Sequence, residues 1–568
     1  MFSLFDKKVK LKIFVIYFFN IASIIIFCIY EYIFMFSNSE LESGIFRQIQ
    51  EKNNIVNDVI ERIFQEYKNT LLENIILDTC YNEIKRLENT KNKRKEDIDD
   101  LKFWKKNYRK VLDNYNKEEI FKNIIKHYAN DIVGNFNPKV YKFVTDLLPI
   151  FMSIFFRTIS LNSKIFPLPD KSEIDKIVIL SGKIKELQSL SKIGTIILLP
   201  THSSNMDSIV IGWALYRIGL PPFTYGAGKN LFTNPVLSYF MNNLGAYKVD
   251  RRIKHFLYKD ILKMYSTVIL ERNYHSLFFP GGTRSRSGAL ETKLKLGLLG
   301  TGIKAYINNL LNNKKNPDIF VVPATINYHI VLEAETLIDD YLKETGKSRY
   351  IIEKDESSSF YKVIQFLFKT ARMDTSLHIK FGQAFDLFGN IVDEKGNSYD
   401  NKGRIIDRKK FVTSKGNITH NEQRDSEYTK ELGYVVAKEY LVDNIILTTN
   451  LFAFVVFNLL KNKYKSFDLY RILRLYPKET NIYIENIEIY IEKIKNKILE
   501  LETQKKISCD IKIKKYYSKE IIKNAIVAFN NYYGNLIEEI NNYIILNDIK
   551  IIYYYSNRLV GYNFENYF

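Results

Sequence analysis

Six short apolar runs punctuate residues 195–381, and longer helical segments separate them. The runs are Thr195–Pro200, Phe223–Gly226, Ala246–Asp250, Leu277–Pro280, Ile319–Ile326 and Leu377–Phe381. Apolar runs this short read as strands buried on both faces. Their alternation with helices predicts an α/β domain with a mostly parallel sheet flanked by helices. In such sheets functional groups gather at the carboxyl ends of the strands.

Helical sequence lies on both sides of this domain. Over residues 41–165 apolar residues recur at three- and four-residue spacing, with few Gly or Pro. Lys91–Lys110 is charge-rich and reads as a solvated helix face. Pro167 and Pro169 mark a boundary. Beyond about residue 440 the chain is again helical, and the amphipathic stretch Ile482–Leu501 is expected to pack on the core or on a membrane. The expected organisation is an apolar segment (1–40), an added N-terminal helical region (41–165), the α/β domain (170–440) and an added C-terminal helical region (441–568). No internal repeat is evident by inspection.

Ile13–Tyr30 carries no charge, apolar character resumes at Tyr32–Phe36, and Lys7, Lys8, Lys10 and Lys12 precede the run. That length suits a membrane-associated helix, and no small-residue cleavage site follows, which disfavours a secretory signal. The lysines predict a cytoplasmic N-terminus. A full span would put the remainder outside the cytoplasm, whereas an interfacial or re-entrant helix would keep it at the cytoplasmic face. A second run, Asn444–Leu460, is dotted with Thr and Asn and reads as a buried helix.

The net charge of +19 favours anionic partners. No module for nucleic acid accompanies it, so no nucleic acid is expected as a partner. Cys28, Cys80 and Cys509 are odd in number and far apart, which argues against disulfides, and no C-x-x-C pair offers a thiolate metal site. No metal is expected.

Three segments at strand ends carry chemistry. In Leu199-Pro200-Thr201-His202-Ser203-Ser204-Asn205-Met206-Asp207 a strand runs into His202 and a helix follows Asp207. On one continuous helix residues five apart stand about 140° from each other, so the two side chains meet only across a turn. Ser203, Ser204 and Asn205 suit that turn. A carboxylate beside an imidazole fixes its tautomer and frees the other nitrogen to take a proton. Isolated, this pattern is more often a structural His–Asp bond.

Two further strands deliver Lys229, after Gly226-Ala227-Gly228, and Arg251, beside Arg252. Such cations suit phosphate, though read alone an exposed basic loop is the more ordinary explanation. In Phe279-Pro280-Gly281-Gly282-Thr283-Arg284-Ser285-Arg286-Ser287-Gly288, glycines let backbone N–H groups approach a ligand beside two arginines. No G-K-[ST] follows, so this is not a P-loop. Val321-Val322-Pro323-Ala324-Thr325-Ile326-Asn327-Tyr328 reads as a buried strand broken by a proline. Ser203 and Ser204 lie beside His202, but no G-x-S-x-G elbow supports a serine hydrolase.

Taken together and in order, these blocks resemble the glycerolipid acyltransferase superfamily, and most of all its glycerol-3-phosphate and dihydroxyacetone-phosphate acyltransferases. His202 and Asp207 match the family's H-x4-D block. Gly228–Phe232 and Arg251 match the second, and Gly282, Arg284, Ser285, Arg286 and Gly288 match E-G-x-R-S-R-[ST]-G. Val322-Pro323 through Tyr328 match the fourth, with Val331-Leu332-Glu333 fitting the glycerol-phosphate branch and Lys380-Phe381-Gly382 a later F-G element. Two positions depart: Gly281 stands where the family has glutamate, and Thr201 precedes the histidine.

The resemblance implies acyl transfer from an acyl-CoA or acyl carrier protein co-substrate to the 1-hydroxyl of glycerol 3-phosphate at a membrane lipid surface. His202 and Asp207 would be catalytic, and no cofactor is needed. Arg251, Arg284, Arg286 and Lys229 would bind the phosphate, and Gly282, Ser285 and Pro323 would line the pocket. Dihydroxyacetone phosphate and lysophosphatidate are alternative acceptors, and an inactive lipid-binding scaffold is an alternative of another class.

Overall fold

The computed structural model describes residues 44–91, 93–145, 178–233, 235–345 and 376–568. Four helices open it: α1 (Gln48–Tyr67), α2 (Leu72–Glu88), α3 (Lys95–Leu112) and α4 (Lys117–Ile132). Asn116 caps α4 by accepting from the Glu118 and Glu119 N–H groups, which satisfies two donors a helix start leaves unpaired. On α3 only Asp97, Trp104, Asn107 and Val111 are buried, as the charge-rich sequence anticipates. The apolar faces of α1, α2 and α4 share one core with Tyr258, Ile261 and Tyr265 of the α/β domain.

A seven-stranded sheet follows, built from β1 (Val178–Gly182), β2 (Thr195–Pro200), β3 (Thr224–Gly228), β4 (Ala246–Val249), β5 (Ser276–Leu277), β6 (Ile319–Tyr328) and β7 (Leu377–Phe381). Its order is β1-β7-β6-β2-β5-β3-β4. β6, β2, β5, β3 and β4 are mutually parallel. β7 pairs antiparallel with β6 and parallel with β1, so this edge runs the other way. The sheet is mostly parallel, as expected, with a reversed margin. All six residues of β2 are buried, which a strand covered on both faces requires. β5 is shorter than anticipated: Phe278 still donates to the Leu198 carbonyl, but Pro280 has no N–H and two glycines follow. β1 was not legible, because only Val178 of its five residues is buried.

α5 (Ile184–Ile193), α6 (Asp207–Arg217), α7 (Pro235–Asn243), α8 (Phe256–Glu271) and α9 (Gly300–Leu311) connect the strands, and α10 (Ala334–Thr345) follows β6. From β2 the chain passes to β3 and β4, returns through β5 to a place beside β2, then crosses to β6 on the other side. The carboxyl ends of β2, β5 and β6 are thereby neighbours at the switch point, where α/β sheets bind ligands.

After β7 the chain makes a short repeat, contrary to the expectation of none. Asp386, Asp393, Asp400 and Asp407 recur every seven residues. The first three each accept from the N–H groups two and four residues on, and Gly389, Gly396 and Gly403 take positive φ in these turns. These Asx-type turns link the short strands of a small three-stranded antiparallel sheet.

α11 (Glu422–Asp443) runs across the expected boundary near residue 440, and its Tyr440 hydroxyl donates to the Leu199 carbonyl in β2. α12 (Thr448–Lys463) is buried on almost every side, matching the buried-helix reading of Asn444–Leu460. Around it pack α13 (Ile484–Thr503), α14 (Ser518–Tyr533) and α15 (Ile549–Ser556). α13 turns Ile487, Ile491, Ile494 and Ile498 inward, so its apolar stripe packs on the core. The helical C-terminal region also holds an antiparallel hairpin, Ile537–Ile540 with Tyr543–Leu546. Asn541 and Asn542 both take positive φ, as its two-residue turn demands.

Among the described residues no helix is long and apolar enough to cross a membrane. The apolar segment 1–40, with the membrane helix expected over Ile13–Tyr30, lies outside the described residues, as do Pro167 and Pro169. Cys80 and Cys509 are buried free thiols.

Candidate active site

β2 ends at Pro200, α6 starts at Asp207, and the turn between them folds His202 back onto Asp207. His202 Nδ1 lies 2.8 Å from Asp207 Oδ2. The same oxygen accepts from the Ser203 N–H at 2.6 Å and the Ser204 N–H at 2.9 Å. The Tyr328 hydroxyl, at the end of β6, donates to Oδ1 at 2.6 Å. Asp207 is fully buried. Four donors around a buried carboxylate offset its loss of hydration and fix its orientation. Burial and the Asp207 charge together hold the Tyr328 hydroxyl far above the usual phenol range, so it remains a donor.

The imidazole is stacked as well as hydrogen-bonded. Its ring stacks on Phe279 with centroids 4.1 Å apart and planes 22° apart. With Nδ1 engaged by Asp207, Nε2 is the nitrogen available to take a proton, and the side chain keeps 17% of its surface open. The main chain of His202 is also held: its carbonyl accepts from the Ser285 N–H at 2.7 Å, and its N–H donates to Glu291 Oε1 at 2.9 Å.

Glu291 answers the departure at position 281. A Cβ at Gly281 would lie 3.0 Å from Glu291 Cγ and 3.2 Å from its Oε1. A carboxylate from ten positions on thus lies beside Gly281, and glycine leaves the room for it. Burial raises the Glu291 carboxyl above its usual range, opposed by the His202 N–H and the Arg558 charge. Arg558 is itself buried and is fixed by Asn444 Oδ1 (2.8 Å), Asn327 Oδ1 (2.7 Å) and the Ile326 carbonyl (3.0 Å).

Glu333 joins three of the blocks. Its carboxylate accepts from Ser204 Oγ at 2.9 Å and the Asn205 N–H at 3.0 Å, and Arg284 Nη1 pairs with it at 3.3 Å. Arg284 is thus tied to the loop that carries His202. Burial raises the Glu333 carboxyl, and Arg284 opposes the shift. Arg286 pairs with Glu344 on α10 at 2.6 Å and is more exposed.

Lys295 was not anticipated. It folds over Gly282, where a Cβ would approach its Cδ and Nζ to 2.5 Å. Its pKa is lowered by burial first, then by the charges of Arg251 and Arg286. Those three cations therefore share one neighbourhood beside the glycine turn, a field that favours an anion. Lys229 points elsewhere: its ammonium pairs with Asp131 of α4 at 2.6 Å. Of the expected pocket residues, Gly282 takes a positive φ of 75° in the turn, and Ser285 donates from Oγ to the Ala289 carbonyl. Pro323 is buried within β6, opposite Leu199 of β2. The C-terminal region grips the same turn, since Asn557 Nδ2 donates to the Ser287 carbonyl at 2.9 Å.

Residues 182–327 match the family model described as Acyltransferase. A glycerol-3-phosphate acyltransferase of Histophilus somni (strain 129Pt) is 34% identical over 174 residues, 30% of this chain and 20% of the relative. One from Pseudomonas paraeruginosa (strain DSM 24068 / PA7) is 25% identical over 237 residues, 42% of this chain and 25% of the relative. The match thus spans a quarter or less of the length of these curated relatives. The matched segment ends at Asn327 and so contains the His202–Asp207 pair, the glycine turn and most of the strand leading to Tyr328. Residues 182–327 of this chain are thus similar to the Acyltransferase family, and parts of the chain are similar to proteins named glycerol-3-phosphate acyltransferase.

Proposed function

We propose that the chain transfers a fatty acyl group from an acyl thioester, acyl-CoA or acyl carrier protein, to the 1-hydroxyl of glycerol 3-phosphate. The observation that carries this reading is the buried Asp207 holding His202 Nδ1 while Glu333 ties Arg284 to the same loop. That arrangement suits a base and a phosphate-binding cation held in fixed relation.

In this reaction His202 Nε2 takes the proton of the attacking hydroxyl. The oxygen bonds to the thioester carbonyl carbon, the C–S bond breaks, and the proton passes to the leaving thiolate. The products are 1-acyl-glycerol 3-phosphate and a free thiol. Asp207 stabilises the imidazolium formed on the way. Arg284, with Arg251, Arg286 and Lys295, binds the phosphate. The +19 charge and the apolar segment 1–40 support work at an anionic, cytoplasmic membrane face, where the lipid product leaves.

Labelled glycerol 3-phosphate, offered with acyl-CoA and with acyl carrier protein thioester, should yield labelled 1-acyl product. Acylation of only dihydroxyacetone phosphate or lysophosphatidate would replace the acceptor. Stoichiometric lipid binding without turnover would replace the enzyme by a scaffold.

Two variants probe the roles. Arg284→Ala should raise the KM for glycerol 3-phosphate about 10- to 100-fold, the worth of a charged hydrogen bond. An unchanged KM excludes it from the phosphate site. Tyr328→Phe removes one donor from the buried Asp207. It should cost about 1.5–3 kcal/mol in urea unfolding and lower kcat with little change in KM. Unaltered stability and kcat would show that this hydrogen bond contributes nothing.

A further inference from the structure

The end of β6, the start of β7 and the C-terminal region converge on His329, His378 and Asp510. All three side chains are buried, at 1%, 6% and 2% exposure. Each offers one ligand atom, and these atoms all lie within 4.8 Å of one another. His329 Nε2 stands 3.6 Å from Asp510 Oδ2, and His378 Nε2 stands 4.0 Å from Asp510 Oδ1. Both distances are too long for hydrogen bonds, which need about 2.7–3.2 Å.

Neither ring nitrogen of His329 has a hydrogen-bond partner among the described residues, and neither does Asp510 Oδ2. Buried polar atoms are seldom left this way without an ion or ligand to account for it. A direct His–Asp bond is available elsewhere in this chain, at 2.8 Å between His202 and Asp207, so the wider spacing here is not forced by the residue types. Metal–ligand bonds of about 2.0–2.2 Å hold ligand atoms about 3.3–3.5 Å apart in a tetrahedron, so an ion would need to draw this set inward only modestly.

We propose that His329, His378 and Asp510 form a structural site for a divalent transition-metal ion of the Zn2+ class. Two imidazoles and one carboxylate are a donor set that such ions accept. Ser376 Oγ lies 2.8 Å from His378 Nε2, so its hydroxyl is the neighbour that would turn aside or complete the shell. The site would pin the C-terminal region to the sheet. It would also fix the end of β6, since His329 directly follows Tyr328, whose hydroxyl holds Asp207. The expectation of no metal rested on cysteine spacing and on the reaction, and a His–Asp set assembled from three distant segments is invisible to both.

The test uses the full chain in detergent, stripped with chelator and titrated with Zn2+ and, separately, with Co2+. The expected result is one saturable equivalent of either ion, d–d absorption from Co2+, and a higher melting temperature on loading. Asp510→Asn keeps side-chain size and His378→Asn keeps a polar amide in a smaller side chain; both should lose the equivalent and the melting shift while circular dichroism stays unchanged. If the stripped wild type takes up no stoichiometric ion, or if both variants bind as the wild type does, the proposal is overturned.

Discussion

His202→Ala is expected to lower kcat for acyl transfer by about 10²–10⁴-fold, the usual worth of a positioned general base. The fold should survive, because the imidazole is a terminal member of its network. Asp207 would keep the Ser203 and Ser204 N–H groups and the Tyr328 hydroxyl as donors after the ring is removed. The His202 main chain would keep its bonds to Ser285 and Glu291. The loss should therefore appear in kcat, with near wild-type circular dichroism and a similar KM for glycerol 3-phosphate. Asp207→Ala is the less clean probe. It strands the Ser203 and Ser204 N–H groups and the Tyr328 hydroxyl in a buried place, each costing about 1–3 kcal/mol, and also releases the His202 ring, so it should fail in folding as well as in turnover. Turnover within a few-fold of wild type in a folded His202→Ala protein would remove the base from the mechanism.

The part of this site that was legible in the sequence is local. His202 and Asp207 are five residues apart on a strand, turn and helix whose boundaries follow from a buried apolar run and three turn formers. Arg284, Ser285 and Arg286 sit on one glycine turn. What was not legible is set by chain path. Glu291 reaches Gly281 only because the turn doubles back, though the glycine in place of a carboxylate was a sign that something fills the space. Lys295 covers Gly282 for the same reason. Arg558 arrives from the C-terminal end of the chain, and no local pattern ties a lone arginine to Asn327. The reversed margin was hidden because β7 resembles any other buried strand, and the direction of a strand is not written in its composition. The seven-residue Asp turns were readable in principle, from D-x-x-G spacing, since each carboxylate needs only its own neighbouring N–H groups.

Exchanging the carboxylate between positions 291 and 281 should be compensatory. Glu291→Ala removes the acceptor of the His202 N–H, leaves that donor unpaired in a buried site, and empties the space beside Gly281. We expect a drop in kcat of about 10- to 100-fold, equivalent to about 1.4–2.7 kcal/mol, with KM little changed, because Glu291 positions His202. Gly281→Glu alone puts a second carboxylate where Glu291 already lies, with overpacking that costs about 1–3 kcal/mol before like-charge repulsion is added. In the double variant the new carboxylate has the vacated space to itself. It should recover most of the lost kcat, a coupling of about 0.5–3 kcal/mol. A pH scan adds a second readout. Burial raises the Glu291 carboxyl, so the wild type should lose stability as pH climbs from the ordinary carboxylate range through the raised value. Glu291→Gln should flatten that decline. If the two single losses merely multiply in the double variant, Glu291 is a packing residue, and the carboxylate at 281 has no counterpart in this chain.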